Sequence, residues 1–139
     1  MAKAISNHLH HSLAYLSLSA STPHSAWAPN TDVYETPDTL VVKMEIAGVQ
    51  TEDLQITLDD RLLLVRGHRK DLCRHRQHRC SFRQMEIDYG HFERRILIPR
   101  SVDGSRVRAQ FHNGFLRIEL PKAEQSEQTM VSVIIEQAS

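Results

Sequence analysis

The side chains best suited to chemistry crowd the middle of the chain, where Cys73, His75, His78 and Cys80 stand in the order Cys-x-His-x-x-His-x-Cys. Two thiolates and two imidazoles are zinc ligands, but structural zinc sites bring together ligand pairs from separate turns. Here Arg66, Arg69, Lys70, Arg74, Arg76, Arg79 and Arg83 face one acid, Asp71, and repel a cation, so no metal is expected. The same positive field favours thiolate over thiol, which makes Cys73 and Cys80 a better redox pair than a metal site, with free surface thiols the plainer reading. A Cys/His hydrolase lacks its orienting acid and oxyanion donors. Lys/Arg clusters attract phosphate, yet no aromatic residue lies between Arg66 and Cys80 to stack on bases, so a solvated loop that pairs with acids is expected and nucleic acid is not. The five glycines are isolated and form no phosphate-cradling loop, and no cofactor or catalytic residue is expected. Four of the nine histidines lie in residues 1–30, and His68, His75, His78 and His91 lie in or beside the basic stretch, so mild acid adds charge to both regions.

The elements around this stretch read as strands. A chain of 139 residues, 40% hydrophobic, supports one core plus tails, and 17 basic against 17 acidic residues leave no global field for a polyanion. No run approaches the roughly 20 apolar residues of a membrane-spanning helix. Two cysteines make no disulfide framework, which points to a reducing, cytoplasmic setting. Residues 1–30 carry Lys3 as their only charge besides histidine and mix Leu with Ser and Ala. They resemble a secretory leader only weakly, because serines dilute the apolar stretch, and a mobile apolar arm is the preferred reading.

From Thr31 onward the pattern has period two. Leu40, Val42, Met44 and Ile46 share one parity, as do Leu54, Ile56 and Leu58, and Phe92, Arg94, Ile96 and Ile98 before Pro99. Asn113-Gly114 is a strong type I′ turn signal. Folding there sets Phe111 opposite Leu116, Ala109 opposite Ile118 and Val107 opposite Leu120, with Gln110–Arg117 and Arg108–Glu119 on the other face. Short strands, turn residues and no long helix predict an all-β sandwich. A polar linker, residues 122–129, leads to the apolar run 130–135, where Val131, Val133 and Ile135 share a face when extended. Such a peptide suits edge augmentation, and a flexible tether favours docking on a neighbouring subunit over a last strand of the same one.

These residues resemble the small heat-shock proteins, whose core is the α-crystallin domain. Ala109, Asn113, Gly114 and Leu116 meet the A-x-x-x-N-G-x-L signature, and Phe92, Arg94, Ile96, Ile98 and Pro99 meet the family's strand motif. Residues 32–38 and 58–62 look like the plant and bacterial branch. Two departures stand out: Ala47-Gly48 replaces Pro-Gly, and Val133 in the Val133-Ile134-Ile135 tail motif removes one methylene from the usual Ile, about 1 kcal/mol of burial.

The resemblance implies an immunoglobulin-like sandwich at residues 31–122, an arm at 1–30 and a docking tail at 123–139. It implies a loop whose strand, Ser81, Phe82, Arg83, Gln84, Met85 and Glu86, is exchanged between subunits, with Arg94 near that interface. It places the tail in a groove between the strands of Leu54, Ile56, Leu58 and of Val107, Ala109, Phe111. Leu9, Leu13, Leu16, Leu18 and Trp27 would then touch partly unfolded clients, held without ATP by an oligomer of this chain. Separately from the resemblance, the histidines in both charged regions predict that mild acid loosens that oligomer. The rival reading is a non-chaperone adaptor on the same sandwich, or a redox-regulated version of it.

Overall fold

The computed structural model describes residues 26–71, 81–124 and 130–138. Two sheets face each other. One has the order β1 (Thr31–Glu35), β2 (Thr39–Glu45), β7 (Phe115–Pro121), β6 (Arg108–His112), β9 (Ile135–Gln137); the other has β5 (Gly90–Leu97), β4 (Leu62–Arg69), β3 (Leu54–Asp59), β8 (Met130–Ser132). All pairings are antiparallel except β6 with β9. The all-β sandwich read from the sequence is the fold.

Alternation explains the core. Leu40, Val42 and Met44 of β2, Leu116, Ile118 and Leu120 of β7, and Ala109 and Phe111 of β6 point inward from one sheet, and Ile56, Leu58, Leu63, Val65, Phe92 and Ile96 meet them from the other. A fully buried aliphatic side chain is worth about 1.5–3 kcal/mol, so this slab is the main stabilising term. Val41, of opposite parity, is buried as well, on the outer face where it pairs with Tyr34 and Glu119.

Turn chemistry fixes the registers. The β6–β7 hairpin pairs Phe111 with Leu116, Ala109 with Ile118 and Arg108 with Glu119 around Asn113 (φ 49°) and Gly114 (φ 81°), the backbone that a type I′ turn demands. Its tip is anchored, since Ile46 N–H donates to the Gly114 carbonyl at 2.8 Å. Between β3 and β4 the turn passes through Asp60 at φ 52°.

Three boundaries differ from the sequence reading. Ala26, placed in the arm by the sequence reading, is joined to the sandwich, since its N–H donates to the His91 carbonyl at 2.8 Å. Lys122 belongs to the body, not the linker: its ammonium lies 3.0 Å from a Glu35 oxygen and donates to the Thr36 carbonyl at 2.7 Å. Arg66, His68 and Arg69 stand in β4 rather than in a loop.

Candidate tail groove and assembly surfaces

The tail joins both sheets. β8 extends the β3 edge with Val131 opposite Leu58, Val133 N–H then donates to the Ile56 carbonyl at 3.0 Å, and β9 runs parallel to β6 with Ile135 opposite Ala109. Ala138 closes the strand through its N–H to the Phe111 carbonyl at 3.1 Å. Alternation sorts the side chains, so Val131, Val133 and Ile135 are half-buried while Ile134 is 85% exposed. Val133 and Ile135 pack against the core, as half-buried Leu54 and Val107 also do, and that core includes Ile56, Leu58, Ala109 and Phe111. One further residue, Gly104 in the 3-10 turn Gly104–Arg106, makes room: a Cβ there would lie 2.9 Å from Val131 Cγ2.

The tail that the sequence reading seats on a neighbouring subunit lies here on its own chain.

Residues 81–89 form no strand and are exposed, with Phe82 at 56%, Met85 at 65% and Ile87 at 65%. The expected exchange residues Ser81, Phe82, Arg83, Gln84, Met85 and Glu86 therefore offer backbone and apolar side chains to solvent. The base of this segment is fixed, because Arg69 Nε donates to the Asp88 carbonyl at 2.7 Å. Among the described residues β1 and β5 end the two sheets opposite the tail, so their outer backbone edges have no neighbouring strand.

Trp27 corrects the reading of a free client contact. It is half-buried against the core, its Nε1 donates to the Gly90 carbonyl at 3.0 Å, its ring meets Phe92 edge-on at 5.1 Å, and the Arg69 guanidinium lies 3.8 Å above it. Arg94 stands on the edge strand β5, buried at 8% exposure opposite Val65, and loss of hydration lowers its pKa from the ordinary arginine value. Leu9, Leu13, Leu16 and Leu18, with Cys73, Cys80, His75 and His78, lie outside the described residues.

Sequence reasoning missed the charges that brace β5. Burial opposes ionisation of Glu93, but hydrogen bonds and charge from Arg66 and Arg95 outweigh it and hold the carboxyl below its ordinary value. Opposite-charge spacing across β4 and β5 was the available signal; without the register, 66 and 93 could not be matched.

A β-sandwich that takes an extended C-terminal strand into a groove bridging both sheets has the build of a strand-accepting binding protein. The sequence profile of the Hsp20/alpha crystallin family matches residues 32–136, and the chain belongs to that family. It is 36% identical over 100 residues to heat shock protein 16 of Schizosaccharomyces pombe, covering 72% of this chain and 70% of that one. It is 29% identical over 105 residues to small heat shock protein C2 of Rickettsia felis, covering 76% and 67%. Among solved structures, heat shock protein 16.0 of S. pombe superposes with a TM-score of 0.75 at 32% identity, covering 89% of this chain and 87% of that one. A small heat-shock protein of Xylella fastidiosa, described as having a distinct high order structure, gives 0.64 at 28%, covering 76% and 94%. The function that follows is ATP-independent chaperoning, the binding of partly unfolded proteins against aggregation.

Proposed function

We propose that this chain holds clients through residues 1–25 while its groove, tail and residues 81–86 build the homo-oligomer that presents them, in the cytoplasm. The observation that supports this most is the seat of Val133 and Ile135 over the β3 and β6 edges, since the same groove accepts the same peptide from another copy. Exposed Phe82 and Met85 suit addition to the free β1 edge of a partner, where backbone hydrogen bonds give affinity and alternate side chains give register. Leu9, Leu13, Leu16 and Leu18 are the client contacts of this reading. Trp27 roots the arm instead. An apolar segment of this kind can cover many client shapes because it demands no particular sequence.

Light scattering from a heated client, with no nucleotide present, tests it. Scattering should stay low with the full chain and rise when residues 1–25 are deleted, and equal protection by the deleted protein would overturn the assignment of client binding to that segment.

A further inference from the structure

The last two rungs of the β4–β5 ladder pair His68 with His91 and Arg69 with Gly90, and the N-terminal segment is fastened to them. Ala26 N–H donates to the His91 carbonyl and Trp27 Nε1 to the Gly90 carbonyl, while Arg69 covers the indole ring and also holds the Asp88 carbonyl. One strand end therefore grips both the root of the arm and the base of residues 81–89.

On this end the His68 and His91 rings lie stacked, with centroids 4.1 Å apart and planes 14° from parallel. Neutral imidazoles tolerate that stack. A first proton places a single charge beside a neutral ring; a second sets two like charges at contact distance, with His91 exposed and His68 half-buried.

Among the described residues, the groups lining the groove beside the pair are mostly matched already. The groove around it is lined by Glu52 and Asp53 of the turn Thr51–Asp53, Arg66 of β4 and Glu93 of β5. Asp53 is already matched by Lys70 at 2.8 Å, and Glu93 by Arg66 and Arg95, which leaves Glu52 as the groove carboxylate available to a first proton. Arg69 adds positive charge beside the pair, the segment 81–89 contributes Asp88 and Tyr89, and residues 26–30 carry no ionisable side chain.

We propose that the stacked His68–His91 pair is an acid-sensitive latch for the N-terminal arm. Protonation of both rings parts the end of the β4–β5 ladder, withdraws the Gly90 and His91 carbonyls from Trp27 and Ala26, and loosens the base of residues 81–89 in the same step. The consequence for client binding rests on the reading above, but the latch itself does not.

Trp27 is the only tryptophan, so its emission in the full-length chain reports the latch with no client present. On titration from about pH 8 to pH 5, the range in which histidine changes charge, emission should move to the red and the indole should become accessible to acrylamide. His91→Gln, and the double change His68→Gln with His91→Gln, should keep the emission blue throughout. An equal red shift in the double variant, or none in the parent, overturns the proposal. If far-UV circular dichroism at pH 8 shows that the double variant does not fold, His91→Gln at its exposed position decides on the same criterion. Failure to hold a client at pH 8 would instead count against the chaperone assignment of residues 1–25 and leave the latch standing.

Discussion

Glu93 keeps a charge at a strand position where only 9% of the residue is exposed, because two guanidinium groups from flanking positions reach its two oxygens. Its folded pKa lies below the ordinary value of 4.5, so ionised Glu93 stabilises the fold above that value, and the contribution is lost as pH falls through the lower folded value. Asp103 follows the same sign: hydrogen bonds from the Ser105 side chain and from Arg106 hold its carboxyl below the usual range. Glu93→Gln should therefore cost about 1 kcal/mol at pH 7, below the usual range for hydrogen bonds to charged groups because both arginines are about half exposed and screened by solvent. Urea unfolding at pH 7 and again near pH 3 checks this, and the gap between parent and variant should narrow at the lower pH; a gap independent of pH would show that the carboxylate charge is not what braces β5. Other residue-scale features were closed to sequence reasoning. Gly67 lies in a strand, and only the fold reveals that a Cβ there would come within 2.4 Å of the Phe92 ring. Trp27 reads as a sticky arm residue because its partners Gly90 and Phe92 lie more than sixty positions away.

At the scale of elements, the seat of β8 depends on a missing side chain elsewhere. Gly104→Ala leaves the tail sequence untouched, adopts no left-handed backbone, and sets a methyl 2.9 Å from Val131 Cγ2. The tail must shift, so hydrogen exchange at the Val133 amide, bonded to the Ile56 carbonyl, should quicken about tenfold, equivalent to about 1.4 kcal/mol. Unchanged exchange there, with the rest of the protein native, would show that β8 can move aside without loosening the Val133 contact. The strands β2, β3, β5, β6 and β7 were legible because each buries one parity against the facing sheet, and the β6–β7 register was legible because Asn113 and Gly114 permit one turn. Strand β1 gave no such pattern of its own, since it lies at an edge with no fully buried residue. The period of β8 and β9 was visible, but not their address. Alternating apolar side chains fit the same groove whichever chain supplies them, so the pattern by itself names no donor.

For the whole molecule that choice becomes a competition between the chain's own tail and a neighbour's. A tether of a few residues gives the resident tail an effective concentration on the order of millimolar, so a single free tail at micromolar concentration does not displace it. Neighbouring tails prevail only when several are delivered together by subunits already paired through other surfaces, for which exposed Phe82, Met85 and Ile87 and the open β1 edge are suited. Assembly should therefore be steep in concentration. Sedimentation velocity across a hundredfold dilution should show large particles giving way to small ones without populated intermediate sizes. Val133→Ala with Ile135→Ala removes apolar surface from both half-buried anchors, weakening own and borrowed docking alike by about 2 kcal/mol in sum. That variant should remain small at every concentration while its circular dichroism matches the parent, because the sandwich core lies beneath the tail and not in it. Large particles persisting in the variant would mean that the free edges and residues 81–89 assemble the protein without the groove.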